Sequence, residues 1–327
     1  MSPYLSRGVI STRQVYEHLK SLNVETYQTL VLIKELAWRD YFQQVWLAKG
    51  EAVLADMNHP QSSVLHHGIP KNIVNANTGI WAIDNVIKEL YATGYMHNHM
   101  RMYVASLCCN IAKCNWLEPA RWLYSHLLDG DIGSNHLSWQ WIAGSFSQKK
   151  YFANQDNINH FFYSTQKNTF LDVDYPTLER MSVPAELRDV SLEEIPMYLP
   201  NIKNAAIQKN KATLVYNYYN MDPYWHSNED LQRILLLEPS HFKKYPVGKR
   251  NIEFALELAK NIEGIKIVVD EFDILKKELD RADIIYKEHP AFVHYRGIKE
   301  PRDWMGEPVG YYPSFSSFWK NYKKTLQ

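Results

Sequence analysis

The sequence predicts a mainly α protein: an all-helical domain, residues 1–163, followed by a small C-terminal α/β domain, residues 209–327. In the first half, apolar residues recur at helical spacing over long stretches. After Lys211, short apolar runs alternate with amphipathic stretches, as in parallel strands joined by helices. Residues 164–208 between them are interrupted by prolines and weakly periodic, which indicates an extended linker.

Composition indicates a globular protein rich in aromatic side chains. The 327 residues include 36 basic and 36 acidic side chains, 10 Trp and 22 Tyr. Because the formal net charge is zero, a nucleic-acid partner would have to be met by a local basic patch. The aromatic content slightly favours flat ligands such as bases or flavins.

Cysteine usage and hydropathy exclude several classes of protein. Three cysteines, Cys108, Cys109 and Cys114, fall in one apolar run without a CxxC pair, which argues against a disulfide framework or a zinc site. No signal peptide precedes the first charged residues, and no apolar run reaches the length of about 18 residues that a membrane span needs. We therefore expect a cytoplasmic monomer without a metal and without membrane contact.

Helices are predicted for five segments of the first half. Serine and threonine cap a helix that extends to residue 22, and residues 25–49 form a long amphipathic helix. Residues 78–94 form a helix that ends on glycine, and residues 95–116 continue as another. A helix over 119–128 follows, and a short segment begins at residue 134.

Residues 94–141 concentrate polar and aromatic side chains. Asn98 and Arg101 are three residues apart and share a helical face. Asp129 and Asp131 flank a glycine on a tight turn, where two carboxylates repel each other unless cations or donors face them. Solvated acids at a helix end are the simpler interpretation. Alternatively, the carboxylates hold an arginine and a heteroaromatic N–H, and the glycine lets a ring approach the backbone.

The long helix carries a second cluster. Glu35 and Arg39 are four residues apart, with Trp38 beside them. A surface ion pair explains this spacing. An aromatic ring between a carboxylate and a guanidinium also suits a face that contacts a base or a phosphate, and the residues alone leave both interpretations open.

Five segments, in order and at matching spacing, resemble the flavin-binding helical domain of the photolyase/cryptochrome family. They are ELAWRDYF (35–42), TGIWAID (78–84), GYMHNHMRM (94–102), LLDGDIGSNHLSWQW (127–141) and YFANQ (151–155). Residues 2–14 resemble the start of that domain, so the resemblance covers about residues 2–160. It implies an all-α domain that binds FAD in a folded pose, in a chain lacking the usual N-terminal α/β antenna domain.

The resemblance also implies roles for individual residues. The implied cofactor contacts are Ser2, Arg39, Asn98, Arg101, Asp129, Gly130, Asp131 and Asn135. Among them, Arg101 would pair with Asp129, and Asn135 would face the flavin N5. Ser2 and Arg39 would contact the phosphates of the cofactor. The implied walls of the cavity for damaged DNA are Glu35, Trp38, Arg39, Met102 and Trp141.

The implied catalytic residues are Asn135 and two members of the family's electron-transfer chain, Trp116 and Trp139. A third tryptophan is absent where it is expected, around residues 62–65, which leaves Trp81 or a tyrosine as candidates.

The implied activity is that of a deoxyribodipyrimidine photolyase. Reduced FAD, excited by blue light, would split cyclobutane pyrimidine dimers in DNA by electron transfer. Asn98 and Met102 stand where members acting on the (6-4) lesion carry histidines, which favours the cyclobutane dimer. The alternative is a cryptochrome-like flavin photoreceptor that repairs nothing. The role of the C-terminal α/β domain stays open, because no GxGxxG or GxxxxGK[ST] motif follows its strands.

Overall fold

The computed structural model describes residues 1–22, 25–202, 205–307 and 310–326. The chain divides into two compact units. We call Glu51–Ile195 the helical unit, and Met1–Gly50 together with Pro196–Gln327 the mixed unit. This division differs from the predicted one, in which the first 50 residues belonged to the helical domain.

The chain begins with three helices of the mixed unit: α1 (Ser2–Ser6), α2 (Thr12–Ser21) and α3 (Thr26–Lys49). Ser11 and Gln14 form a reciprocal capping box at the start of α2, which satisfies two backbone N–H groups. The predictions of a capped helix to residue 22 and of a long helix over residues 25–49 are thus confirmed within a residue or so at each end.

The helical unit contains seven helices among the described residues, together with one two-stranded antiparallel ladder. These elements are β1 (Ile69–Pro70), α4 (Lys71–Val74), α5 (Trp81–Thr93), α6 (Asn98–Ser106), α7 (Leu117–His126), α8 (Ile132–Ala143), α9 (Gln155–Phe162), α10 (Tyr175–Arg180) and β2 (Val190–Ser191). Helix α5 ends at Gly94, whose φ of 74° is the left-handed conformation that favours glycine at a helix end.

The predicted helix over residues 95–116 is shorter and irregular. Helix α6 continues into one π-helical turn, Leu107–Ile111, and helical structure then stops. Side chains attach this turn to the segment after α8, because the Ser106 hydroxyl and the Asn110 amide both donate to the backbone oxygen of Tyr151. The three cysteines of this region are buried free thiols, and burial raises the pKa of Cys114 to about 12.

Residues 164–195 belong to the helical unit and are not a linker. Leu171, Leu178 and Leu187 are buried in its core. Strand β2 pairs with β1 and attaches the end of this segment to the unit. Prolines interrupt the periodicity of the segment, but irregularly spaced leucines still reach the core. Within the predicted linker, residues 203–204 lie outside the described residues.

The mixed unit contains a five-stranded parallel sheet. Its elements in chain order are β3 (Thr213–Tyr216), β4 (Gln232–Leu236), α11 (Pro239–Lys244), α12 (Lys249–Ala259), β5 (Ile265–Val268), α13 (Phe272–Leu279), β6 (Ile284–Lys287), β7 (Ile298–Glu300) and α14 (Phe315–Tyr322). The strand order is β5-β4-β3-β6-β7, so the direction of winding reverses between β3 and β6. Three of these strands were predicted, whereas the four-residue β6 and the three-residue β7 escaped notice.

Contacts far apart in sequence join α1–α3 to this sheet. The buried Arg7 guanidinium stacks over the Tyr218 ring at 3.8 Å and donates to the Tyr218 backbone oxygen. Asp40 of α3 accepts hydrogen bonds from the Met305 backbone and the Tyr322 hydroxyl. Burial raises the pKa of the Asp40 carboxyl. The first three helices therefore share a core with residues near the C-terminus.

A cavity of about 100 Å³ lies within the mixed unit at the point where the winding reverses. Asn220 follows β3, His289 follows β6, and Arg39 of α3 also lines this cavity. Within the described residues, none of the helices combines the length and the apolar character that a membrane crossing requires.

Candidate functional site

The predicted site residues fall into two groups. Ser2, Glu35, Trp38 and Arg39 belong to the mixed unit. The remaining ones belong to the helical unit, and they are Asn98, Arg101, Met102, Trp116, Asp129, Gly130, Asp131, Asn135, Trp139 and Trp141.

A largely buried ion pair connects α6 to the loop before α8. The Arg101 Nη2 donates to both Asp129 carboxylate oxygens, at 3.0 and 2.9 Å. The Arg101 Nε donates to the Met96 backbone oxygen at 2.8 Å, which fixes the guanidinium from its other side. The Asp129 side chain is 6% exposed and that of Arg101 is 24% exposed. The pairing implied by the resemblance is present, and removal of either partner would leave a poorly solvated charge.

Asp131 caps helix α8. Its Oδ1 accepts from the Ser134 backbone N–H at 2.8 Å, and the residue is buried. Helix α8 therefore begins at Ile132 and runs for 12 residues, whereas a short segment from residue 134 was predicted. An aspartate three residues before a serine backbone donor is an N-cap signal that was available in the sequence.

Gly130 is required by the fold of its own turn. A Cβ atom at this position would lie 2.9 Å from the Tyr124 backbone oxygen and 3.0 Å from that of Leu127. These distances are shorter than a side chain tolerates. The turn itself therefore accounts for this glycine, and its role as a cofactor contact stays a prediction.

Asn135 is oriented by a backbone contact. Its Nδ2 donates to the Ala120 backbone oxygen at 2.9 Å, which makes Oδ1 the acceptor end of the amide. The neighbouring His136 is buried, and its Nδ1 lies 3.4 Å from the same Nδ2. Burial, assisted by the charge of Arg121, lowers the pKa of His136 to about 3. The ring beside Asn135 is thus neutral at physiological pH.

The neutral state of His136 predicts acid destabilisation. The imidazole pKa falls from 6.5 in the unfolded chain to about 3 in the folded chain, so its contribution is complete above pH 6.5 and declines as the pH drops towards 3. At pH 5 the free energy of unfolding should be lower by about 2 kcal/mol from this residue. In denaturant unfolding, the free energy of unfolding of His136→Gln should fall less between pH 7 and pH 5 than that of the wild-type chain. An equal fall in both proteins would contradict a buried, neutral His136. The comparison is made with the wild-type chain, because the buried His241 and His289 also lower the free energy of unfolding in acid, and they do so equally in both proteins.

The two predicted electron-transfer tryptophans are buried in the core of the helical unit. Trp139 lies on α8, and Trp116 lies at the start of α7. The Trp116 indole N–H donates to the Asp56 Oδ1 at 2.8 Å, a contact that was not predicted. Trp81, a candidate for the third position, is 62% exposed at the start of α5. Trp122, which was not considered, is buried and donates to the Tyr91 hydroxyl at 3.2 Å.

One predicted cofactor contact, Asn98, and two predicted substrate-side residues, Met102 and Trp141, lie at or near the surface of the helical unit. Asn98 is exposed, and Met102, one turn later on α6, packs partly against the core. Trp141 is 38% exposed, and its ring centroid lies 6.0 Å from that of Tyr151. The helical unit therefore presents an indole and a thioether at its surface.

Trp38 is engaged within the mixed unit. Its indole stacks on Phe315 of α14, with ring centroids 3.7 Å apart and planes 10° from parallel. Phe42 packs against it as well, at 5.1 Å. One face of the predicted lesion wall is thus covered by the protein's own side chain, so Trp38 in this arrangement is a packing residue. Glu35 on the same helix is exposed.

Arg39 joins two helices of the mixed unit. Its Nη1 donates to the Ser6 hydroxyl at 3.2 Å and its Nη2 to the Leu5 backbone oxygen at 3.4 Å. These bonds connect α3 to the end of α1, whereas the predicted partner was a phosphate. Ser2, the other predicted phosphate contact, is the first residue of α1 and is partly buried.

Comparison with known proteins identifies the family. The family model described as the FAD binding domain of DNA photolyase matches residues 32–218, more than half of the chain. The chain belongs to this family. Its cofactor is accordingly FAD, as the resemblance implied.

Relatives of this photolyase-family chain carry two kinds of name. It is 35% identical over 150 residues to cryptochrome DASH of Danio rerio, and 28% identical over 152 residues to the deoxyribodipyrimidine photo-lyase of Alkalihalophilus pseudofirmus. Each match covers 44% of this chain and spans 29–30% of the relative's length. Among solved structures, the Synechocystis cryptochrome shares 28% identity at a TM-score of 0.44, over 50% of this chain and 35% of that one.

The residues of the helical unit fit a flavin chemically. A flavin ring presents N–H groups and carbonyl oxygens along one edge, so its site must offer both acceptors and donors. Asp129 supplies a buried carboxylate, Arg101 a guanidinium fixed on two sides, and Asn135 an amide with its oxygen as the acceptor end. These three residues of the photolyase-family domain are the ones that would hold the ring.

Proposed function

We propose that this chain is an FAD-dependent, blue-light-driven DNA repair enzyme that splits cyclobutane pyrimidine dimers. The observation that carries the proposal is the composition of helix α8. Asn135, Trp139 and the half-exposed Trp141 lie on this one helix. A rigid element thus carries a candidate flavin contact, a candidate electron relay and an indole available for stacking against a base.

The chain's own residues would each do a defined part of the work. Bound FAD in its reduced form supplies the electron that opens the dimer. The Asn135 Oδ1 would accept a hydrogen bond from the protonated N5 edge, and the Arg101–Asp129 pair would hold the ring in place. Trp141 offers an apolar face of the kind on which a flipped base stacks.

One observation favours a second candidate, a cryptochrome-like photoreceptor without repair activity. Phe315 covers a face of Trp38, the indole that the resemblance places against the dimer. A chain whose Trp38 stays covered would receive a dimer poorly while still binding FAD. The relative named cryptochrome DASH, at 35% identity, agrees equally well with this candidate.

A repair assay separates the two candidates. The flavin-loaded, chemically reduced chain is mixed with an oligonucleotide that contains one thymine dimer and is illuminated with blue light. Loss of dimer in the light and not in the dark is expected. The dark sample and the Trp141→Ala variant serve as controls, and the variant should repair more slowly. Unchanged dimer content with flavin bound would overturn the repair proposal in favour of the photoreceptor, and a chain that retains no flavin would overturn both.

A further inference from the structure

The loop before β1, which lacks the expected third tryptophan, supplies a carboxylate to Trp116. Residues 62–65 read Ser-Ser-Val-Leu. A few residues earlier, the exposed Asp56 accepts the indole N–H of Trp116 at 2.8 Å. Trp116 itself is only 1% exposed. Its polar N–H group thus points at a carboxylate that contacts solvent.

We propose that Asp56 accepts the indole proton when Trp116 is oxidised, so that the electron path ends on Trp116 as a neutral radical. This inference rests on the proposed function, because the oxidant is photoexcited oxidised flavin. It replaces the expectation that Trp81 or a tyrosine takes the third place in the path.

The position of Asp56 is fixed by a second contact in the same loop. Its Oδ2 accepts the Gln61 backbone N–H at 2.9 Å, while Oδ1 accepts from Trp116. The Gln61 side chain in turn accepts the Trp116 backbone N–H at 2.9 Å and donates to the Cys114 backbone oxygen at 2.8 Å. The proton acceptor and the indole are therefore held at hydrogen-bonding distance before any charge moves, which is the geometry that proton transfer requires.

Burial makes the proton transfer favourable. A radical cation on Trp116 would place a positive charge in the core, where charges are poorly solvated. Oxidation also makes an indole N–H far more acidic than it is in the ground state. The ring that packs edge-on to Trp116 is that of His136, at 5.8 Å, and it is neutral because of its lowered pKa. Transfer of the proton outwards to Asp56 removes the buried charge altogether.

Trp139, having lost one electron to the flavin, takes one electron from Trp116 and is restored. The Trp116 N–H bond breaks with both bonding electrons left on nitrogen, and an O–H bond forms on Asp56 from a carboxylate lone pair. The proton then exchanges with solvent, since Asp56 is exposed. The electron cannot return to Trp116 from the flavin without a proton, so the charge separation lasts.

Flash spectroscopy of the oxidised, flavin-loaded chain tests this assignment through the Asp56→Asn variant. Asparagine keeps a hydrogen-bond acceptor but cannot take the proton. The wild-type chain should give a neutral indolyl radical, and the variant a radical cation, which absorbs at longer wavelength. Without proton transfer, the bleached flavin should recover about tenfold faster in the variant. A radical cation in the wild-type chain, or a neutral radical in both proteins, would overturn the proposal.

Controls separate this step from folding and from repair. Asp156→Asn removes an exposed carboxylate of α9 and should behave as the wild-type chain. Trp116→Phe should abolish the long-lived radical, which assigns the signal. Without flavin, the indole N–H resonance of Trp116 should move in Asp56→Ala, and an unmoved resonance would overturn the contact itself. Dimer repair by chemically reduced Asp56→Asn should equal that of the wild-type chain, so a failed repair assay and a failed radical assay are distinguishable.

Discussion

Replacement of Asp129 by alanine is expected to weaken FAD retention by about 100-fold, since truncating one partner of a buried, hydrogen-bonded charge pair in a binding site costs about 3 kcal/mol of binding free energy. The Arg101 guanidinium donates to both oxygens of this carboxylate and is three-quarters buried. Without the carboxylate, the cation would be left poorly solvated and free to change its position. The flavin absorbance per chain after desalting, followed by titration of the stripped protein with FAD, measures the effect.

An exposed ion pair of the same unit provides the matched control. Lys71 and Asp189 form a bridge at 3.1 Å in which both side chains are largely solvated. Asp189→Ala should leave flavin retention unchanged, because an exposed bridge contributes less than about 1 kcal/mol. Asp129→Asn separates charge from shape, since it preserves the volume of the side chain and removes its charge. Normal FAD affinity in both Asp129 variants would place the flavin elsewhere.

The secondary structure of this chain could be predicted where its signals are local. Ser11 caps α2 through the reciprocal contact with Gln14, and Gly94 ends α5 in the left-handed conformation. Both effects act within a few residues, so the sequence displays them directly. Strands β4 and β5 were likewise predictable, because each contains a short apolar run. The buried residues of these runs include 234–237 and 268. Where periodicity was poor, as around Leu178, the segment was mistaken for a linker.

The grouping of elements into units could not be predicted, because an apolar face does not identify its partner. The periodicity of α3 shows that one side is buried but not that this side meets the C-terminal helix. The decisive contacts, from Asp40 to Met305 and Tyr322, join residues 265 and 282 positions apart. Nothing in the local pattern distinguishes them from contacts to the helical unit.

In the candidate site, too, contacts between distant residues could not be predicted unless a sequence motif indicated them. The Arg101–Asp129 pair was predicted from the motifs that resemble the photolyase/cryptochrome family. The carbonyl oxygens that exclude a side chain at Gly130 depend on the path of the backbone in three dimensions. The carboxylate of Asp56 at the Trp116 indole depends on a contact across 60 residues. Residue types indicated the chemistry, and tertiary proximity determined which atoms perform it.

Removal of the Trp38 side chain is expected to destabilise the mixed unit by about 3 kcal/mol or more, the usual cost of replacing a packed aromatic residue by alanine. The indole stacks on Phe315 and also meets Phe42, so Trp38→Ala would leave a cavity between α3 and α14. Phe315→Ala should be destabilising for the same reason. Because the two rings are in contact, the double variant should lose about 1 kcal/mol less than the sum of the single losses.

Hydrogen exchange at the amides of α3 and α14 measures these losses within the mixed unit, which matters because a chain of two units need not unfold in one step. Trp141→Ala provides the matched change on a half-exposed indole of the helical unit and should leave exchange in α3 unaffected.

If Trp38→Ala instead preserved the protection of α3 and abolished dimer cleavage, Trp38 would be a wall of the lesion cavity. Phe315 would then be a side chain that moves away when DNA binds. A large loss of protection with proportional loss of activity would make Trp38 part of the core, and recognition of the dimer would rest on Trp141 and Met102.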